Sequence, residues 1–162
     1  MYKVMKKVFD KVNICLERYI GGEVFFDELD KMVKFDKEVL VEFIDTIQEQ
    51  FKEIHTIASG EFGLCLHNYG LTVDLLVQGG LRKGNQICDL SQFIKKGESY
   101  LFLDDSYFSG KTAQVVKEEI ERCGGKFIGC HVIYDGSQQP IHKVTSIYRY
   151  YDHYDILGRK LE

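Results

Sequence analysis

The chain has 162 residues, of which 44% are hydrophobic and one is proline, a composition that suits one compact domain over residues 1–162. The formal charge is −4 and the 21 Lys and Arg residues are scattered, which argues against a nucleic-acid partner. No apolar run approaches the length of a membrane span, and the first residues lack a signal-peptide pattern. We therefore expect no membrane association and no export.

Cysteine and histidine positions give no metal or disulfide pattern. The cysteines, at positions 15, 65, 88, 123 and 130, are odd in number and form no C-x-x-C pair. This usage predicts reduced thiols in the cytoplasm. The histidines, at positions 55, 67, 131, 142 and 153, show no metal-ligand spacing and are more simply structural or exposed residues. No direct protein-bound metal is predicted.

The first part of the chain has helical periodicity. Apolar residues three or four apart predict an amphipathic helix from Tyr2 to Glu17. After a short stretch containing Val24-Phe25-Phe26, a second such pattern runs from about Asp36 to Lys52, with Asp36 as its cap. We group residues 1–53 as an N-terminal helical region.

From Ile54 onward, short apolar runs alternate with helical ones. Such alternation is typical of βαβ units, so we predict an α/β fold with a mainly parallel sheet flanked by helices and a core over 54–135. The run from Val144 to Tyr151 completes the sheet or forms an edge hairpin within a C-terminal strand and tail over 136–162. The other predicted strands are Ile54–Ala58, Leu71–Val77, Tyr100–Leu103 and Lys126–Tyr134, and the predicted helices are Phe62–Tyr69 and Lys111–Cys123.

The segment from Gln78 to Ser99 has four glycines and no convincing period. Structureless segments of this length are usually functional or disordered. A mobile lid and a plain surface excursion are both compatible with it.

The segment from Tyr100 to Ala113 carries the chemistry: a buried-looking strand, two acids, a polar loop and a helix start. Because the first N–H groups of a helix lack partners and face a positive dipole end, the turn through Ser109, Gly110 and Thr112 can hold a phosphate. Asp104 and Asp105 would repel a bare anion, but they suit sugar hydroxyls or a nearby Mg²⁺. The implied ligand is a sugar with a phosphate arm. A nucleotide-binding P-loop is excluded, since Asp105 stands where its first glycine belongs.

These residues resemble those of a known family. Leu103-Asp104-Asp105 through Ser109-Gly110-Lys111-Thr112 resembles the phosphoribosyl pyrophosphate signature of type I phosphoribosyltransferases. Ile57 to Gly63 is similar to the family's pyrophosphate-contacting loop, and Lys83 to Ile87 to the hood loop of orotate phosphoribosyltransferases. Val24 to Asp27 is similar to the N-terminal hood of that subfamily, so residues 1–53 would include a small hood region.

The resemblance implies transfer of a phosphoribosyl group from phosphoribosyl pyrophosphate to a nucleobase, with an orotate-like pyrimidine favoured, Mg²⁺ as cofactor and a homodimer as the assembly. Asp104 and Asp105 would hold the ribose hydroxyls, with Mg²⁺ near them but held mainly by pyrophosphate and ribose. Arg82 and Lys83 would close over the pyrophosphate. The remaining implied donor-binding residues are Ser106, Tyr107, Phe108, Ser109, Gly110, Lys111 and Thr112 at the 5-phosphate and Ser59, Gly60, Glu61, Phe62 and Gly63 at the pyrophosphate.

The chain also departs from the family pattern. Alignment on Gly84-Asn85 puts Gly79 and Leu81 where orotate enzymes carry the loop lysine and histidine. Phe108 stands where hypoxanthine-type enzymes carry an acid, which disfavours a 6-oxopurine mechanism. Two alternatives therefore stand beside the enzyme: a non-catalytic regulatory module that binds phosphoribosyl pyrophosphate or a nucleotide, and a structural protein in which the motif is incidental.

Overall fold

A computed structural model describes residues 37–68, 75–77, 82–83, 86–87, 89–157 and 159–161. The predicted helix from Tyr2 to Glu17, the Val24 to Asp27 stretch and the cap at Asp36 lie outside these residues. The helices are α1 (Lys37–Gln50), α2 (Gly60–Asn68) and α3 (Lys111–Arg122), and a 3₁₀ turn covers Tyr150–Asp152. The strands are β1 (His55–Ser59), β2 (Leu75–Val77), β3 (Arg82–Lys83), β4 (Gln86–Ile87), β5 (Ser99–Tyr107), β6 (Lys126–Asp135) and β7 (Val144–Arg149).

Within the described residues, five strands form one sheet in the order β2-β1-β5-β6-β7, and every neighbouring pair is parallel. The predicted α/β fold with a mainly parallel sheet is confirmed. Strand β7 runs parallel to β6, so it completes the sheet and does not form a hairpin. Strands β3 and β4 form a separate antiparallel pair within the segment for which we expected no regular structure.

Strand β5 shows why both faces of the sheet are covered. Its side chains alternate between the faces, as in any strand. Leu101 and Leu103 join a core cluster with α1 and α2, whereas Tyr100 and Phe102 join a second cluster with α3. A parallel sheet buried on both faces is expected to carry such a continuous apolar run. None of the helices in the described part of the chain is long and apolar enough to cross a membrane.

Helix α1 packs on β6 through the apolar face that its periodicity predicts. Val39, Leu40, Phe43, Ile44 and Ile47 are all buried. This helix therefore contributes to the same core as the strands. The division into residues 1–53, 54–135 and 136–162 stays a prediction.

Helix α3 ends as its glycine pair predicts. Gly124 has φ 87°, in the left-handed region that favours glycine. Its N–H donates to the Glu121 carbonyl at 3.0 Å, and the N–H of Gly125 donates to the Ile120 carbonyl at 3.0 Å. These two bonds satisfy carbonyls that the helix end leaves without partners.

Strand β5 is longer than its apolar run. We predicted its end at Leu103, and this is wrong, because backbone pairing with β6 continues to Tyr107. Asp104 pairs in register with Val132 and Ser106 with Tyr134. Since strands pair through backbone groups, β6 supplies partners even where the side chains of β5 have turned polar. The two acids consequently belong to the end of a strand and not to a loop.

Candidate functional site

The strand order creates a crevice between β1 and β5. The chain leaves β1 toward β2 on one side, while β5 leads to β6 and β7 on the other. In parallel α/β sheets, ligands bind outside the carboxyl ends of strands at such a reversal of strand order. Ala58 pairs with Leu103, so the carboxyl ends of β1 and β5 meet at one edge of the sheet. Helices α2 and α3 both begin at this edge.

A pocket of about 160 Å³ opens at the carboxyl end of β5. Every residue from Asp104 to Ala113 lines it, and Phe102, Cys130 and Val132 complete it. The structure thus brings together the two acids, the polar loop and the helix start that the sequence singled out. Sequence reasoning missed Cys130 and Val132, since nothing local shows that β6 lies beside β5.

Asp104 and Asp105 are half-buried, near the carboxyl end of β5. Asp104 Oδ1 accepts the backbone N–H of Asp105 at 2.9 Å, and Asp105 Oδ1 accepts the Ser106 hydroxyl at 3.3 Å. These local bonds orient the carboxylates. An ionised carboxylate only accepts hydrogen bonds, so a ligand that donates hydroxyl groups suits this pair.

Cys130 is an inert part of the pocket. Burial, with a smaller contribution from the Asp104 carboxylate, raises the pKa of its thiol to about 12. The thiol is therefore protonated near neutral pH, and only the thiolate is a strong nucleophile. Cys130 shapes the pocket and does not supply covalent chemistry.

The start of α3 presents backbone donors to the same pocket. Gly110 is the N-cap residue, with φ 78° and ψ 9°, and the Ser109 hydroxyl accepts the Lys111 N–H at 3.4 Å. The first intrahelical bond runs from the Gln114 N–H to the Gly110 carbonyl at 2.8 Å. The N–H groups of the first three helical residues, Lys111 to Ala113, have no carbonyl four residues earlier within the helix to bond to. Such a turn is a ready anion site.

Glycine is required at position 110 for two reasons. Its φ lies in the left-handed region, and a Cβ built there would stand 2.5 Å from Tyr107 Oη and 3.1 Å from His142 Nδ1. With any other residue, either this turn or the Tyr107 and His142 side chains would have to shift. The close approach fixes where the helix start lies relative to the strand end.

The charge of the pocket lining is informative. Asp104 and Asp105 are acidic, and among the described residues Lys111 is the one cationic residue of that lining. An anionic ligand would meet more negative than positive charge there, which favours a cation that accompanies it. Mg²⁺ prefers oxygen and is usually held by one or two carboxylates together with substrate phosphates, so the aspartate pair fits it. Among the described residues, no three His, Cys, Asp or Glu side chains converge on a metal position.

The other residues singled out by the sequence occupy two places. Ser59 ends β1, and residues 60–63 form the first turn of α2, so their backbone lies at the same sheet edge. The Phe62 ring is buried against Phe43, with ring centres 5.5 Å apart. Arg82 and Lys83 form β3, whose partner β4 contacts α3. The side chains of Arg82 and Lys83 lie outside the described part, and their role stays a prediction.

The structure is that of an α/β protein with a candidate site for a small anionic ligand. This candidate site combines the reversal of strand order, the acid pair, the glycine turn and the helix start. No protein-family model and no curated protein matches the sequence. Solved structures match the fold. An adenine phosphoribosyltransferase from Thermoanaerobacter pseudethanolicus aligns with TM-score 0.53 and 14% identity, over 74% of this chain and 86% of that chain.

Two further structures are similar to this chain. An orotate phosphoribosyltransferase from Aeropyrum pernix aligns with TM-score 0.50 and 14% identity, over 74% of this chain and 76% of that chain. The UMP synthase of Leishmania donovani aligns with TM-score 0.51 and 14% identity, over 75% of this chain and 28% of that chain. The chain therefore has the type I phosphoribosyltransferase fold, which confirms the family resemblance at the level of the fold.

Proposed function

We propose that this chain binds phosphoribosyl pyrophosphate with Mg²⁺ and transfers the phosphoribosyl group to a nucleobase. One observation carries the proposal: the whole segment from Asp104 to Ala113 lines a single pocket that joins two carboxylates to a helix start. Carboxylates suit vicinal hydroxyls, and the helix start suits a phosphate. A ribose with a 5-phosphate combines these two chemical groups.

In this reaction the bond between ribose C1 and the pyrophosphate oxygen breaks and pyrophosphate leaves. A ring nitrogen of the base bonds to C1 and releases its proton to solvent. The backbone N–H groups at Lys111 to Ala113 hold the 5-phosphate, and Asp104 and Asp105 accept hydrogen bonds from the ribose hydroxyls. The ribose is thereby fixed at two ends, which orients C1 toward the base. Mg²⁺, held near the two aspartates, would supply charge neutralisation for the pyrophosphate.

The acceptor we favour is an orotate-like pyrimidine. This preference is supported by the resemblance of Lys83 to Ile87 and of Val24 to Asp27 to orotate phosphoribosyltransferases. Both adenine and orotate phosphoribosyltransferases share the fold, so the fold does not choose between them. Phe108 adds an apolar group to the pocket lining, where its ring packs against Tyr134 with centres 5.9 Å apart.

A second candidate function rests on a specific feature of the sequence. Gly79 and Leu81 occupy the positions of the loop lysine and histidine of orotate enzymes. Neither residue can donate a proton or carry charge at a pyrophosphate. A regulatory module that binds phosphoribosyl pyrophosphate or a nucleotide without turnover would retain the pocket and lack those groups.

The deciding experiment follows nucleotide formation by chromatography with phosphoribosyl pyrophosphate, Mg²⁺ and a panel of orotate, uracil, adenine and hypoxanthine. We expect a nucleotide from one base and its loss in Asp104→Asn/Asp105→Asn. The matched control is Glu121→Gln, an exposed acid at the far end of α3. Donor binding without any nucleotide would select the regulatory module. Absence of both binding and nucleotide would contradict the proposal.

The resemblance also leads us to propose a homodimer. Light scattering should then give twice the 18.8 kDa mass of the chain. A monomer at the protein concentration used in the activity assay would refute this part of the proposal without affecting the pocket.

A further inference from the structure

A series of hydrogen-bonded side chains connects the two ends of the segment from Phe108 to Ala113. This segment includes the first three residues of α3 and is called the loop below. Tyr107, the last residue of β5, places its Oη 2.8 Å from His142 Nδ1. His142 Nε2 lies 2.8 Å from Oε1 of Gln114, which belongs to the first turn of α3. His142 itself lies in the connection between β6 and β7. A third segment of the chain therefore joins the residue before the loop to the residue after it.

The donors and acceptors of this chain have one consistent direction. The Gln114 amide nitrogen donates to Glu118 Oε1 at 3.1 Å, which leaves the Gln114 oxygen, an acceptor, toward His142. His142 Nε2 must then carry the proton, so Nδ1 accepts from the Tyr107 hydroxyl. Burial, and to a smaller extent Lys117, lowers the pKa of His142, in agreement with a neutral ring.

The Tyr107 and His142 pair lies directly behind the glycine turn. A Cβ at Gly110 would stand 2.5 Å from Tyr107 Oη and 3.1 Å from His142 Nδ1. The bonded pair therefore packs against the Gly110 backbone, where the turn takes its left-handed conformation. Tyr107 lines the pocket, whereas His142 is absent from its lining. The role assigned to His142 is therefore an indirect one, through Tyr107 and Gln114.

We propose that His142 is a positioning residue of the candidate site, which joins Tyr107 to Gln114 and thereby holds the loop from Phe108 to Ala113 in the conformation of an anion site. Its effect on the ligand rests on the proposed function. Its effect on the loop does not, because the hydrogen bonds join side chains of this chain to one another. The two effects are measured separately.

The loop is tested by amide hydrogen exchange in the free protein. The reporter is the Gln114 N–H, which donates to the Gly110 carbonyl at 2.8 Å. In His142→Ala and in Tyr107→Phe, we expect it to exchange about tenfold faster, the loss typical of one hydrogen bond. His153→Ala is the matched control, since His153 is exposed and stacks on Tyr148 outside the pocket lining.

The backbone amide of Ile133 reports whether each variant stays folded, because Ile133 is a fully buried residue of β6. If His142→Ala does not fold, Tyr107→Phe decides the result, because it removes only a hydroxyl. Unchanged exchange at Gln114 in a folded Tyr107→Phe variant would overturn the proposal.

A spectroscopic signature distinguishes the directed chain from simple packing. The ring ¹⁵N spectrum of His142 should show a neutral ring protonated on Nε2, and Tyr107→Phe should shift the Nδ1 resonance because that nitrogen loses its donor. A ring protonated on Nδ1 would contradict the assigned direction.

The ligand effect is tested by calorimetric titration with ribose 5-phosphate. His142→Ala and Tyr107→Phe should each raise the dissociation constant about tenfold, and the double variant should bind no more weakly than either single variant. Wild-type affinity in a folded His142→Ala variant would overturn the positioning role. Failure of the wild type to bind would refute the proposed function, and the exchange result alone would then decide whether His142 orders the loop.

Discussion

His131 should make the fold sensitive to acid. Its side chain is 1% exposed, in β6, and its ring stacks on Phe43 with centres 4.6 Å apart. Nδ1 lies 2.7 Å from Thr145 Oγ1, while Nε2 is buried without a hydrogen-bond partner in the described structure. Protonation would place an unpaired charge in this apolar environment. Burial accordingly lowers the pKa of His131 from 6.5 to about 4.

The size of the stability loss in acid follows from the difference between the pKa of His131 in the unfolded and in the folded chain. The unfolded chain takes up the proton near pH 6.5 and the folded chain near pH 4, so the stabilisation from a neutral His131 is complete above pH 6.5 and is lost as pH falls toward 4. A difference of about 2.5 in pKa corresponds to about 3.4 kcal/mol for complete titration. At pH 5 the loss relative to pH 8 should be about 2 kcal/mol.

Urea unfolding at pH 8 and pH 5 measures this loss. His131→Phe keeps the ring stack on Phe43 and has no titratable group at position 131. Between pH 8 and pH 5 the variant should therefore lose about 2 kcal/mol less of its free energy of unfolding than the wild type loses. His67→Asn, at an exposed histidine of α2, is the control and should behave as the wild type does. An equal pH dependence in wild type and His131→Phe would refute the reasoning.

Two further predictions concern the pocket. Gly110→Ala should cost more stability than Gly97→Ala, for which a left-handed conformation alone costs about 1–2 kcal/mol. Both glycines have positive φ, but a new Cβ at Gly97 meets nothing within 4 Å whereas one at Gly110 meets Tyr107 Oη; equal losses in urea unfolding would contradict this account. Cys130 should resist iodoacetamide in the folded protein at pH 8, since burial raises its pKa to about 12, and half-exposed Cys123 serves as the internal reference. Mass spectrometry that finds Cys130 labelled as fast as Cys123 would be the contrary result.

Local patterns in the sequence predicted the elements well. The helix expected from about Asp36 to Lys52 is observed at Lys37–Gln50, because its apolar residues recur with the helical period. The acid pair, Gly110 and the start of α3 were also found from the sequence, since strand, turn and helix follow one another within a few residues. Their common pocket confirms that they lie together.

Features that depend on distant parts of the chain were not predictable. The end of β5 is set by pairing with β6, so its apolar run alone gave too short a strand. Cys130 enters the pocket for the same reason. His142 contacts Tyr107 from 35 positions away, in a connection with no periodic pattern, and a single histidine there gives no local signal. These contacts follow from strand order, which the sequence pattern leaves open.

The central claim is that this pocket binds phosphoribosyl pyrophosphate, and thermal unfolding with the donor and Mg²⁺ tests it most directly. At about 100 times its dissociation constant, a ligand that binds only the folded state stabilises it by about 2.7 kcal/mol. We predict such a stabilisation for the wild type and its loss in Asp104→Asn/Asp105→Asn. No shift at millimolar donor, or an equal shift in the variant, would contradict the claim.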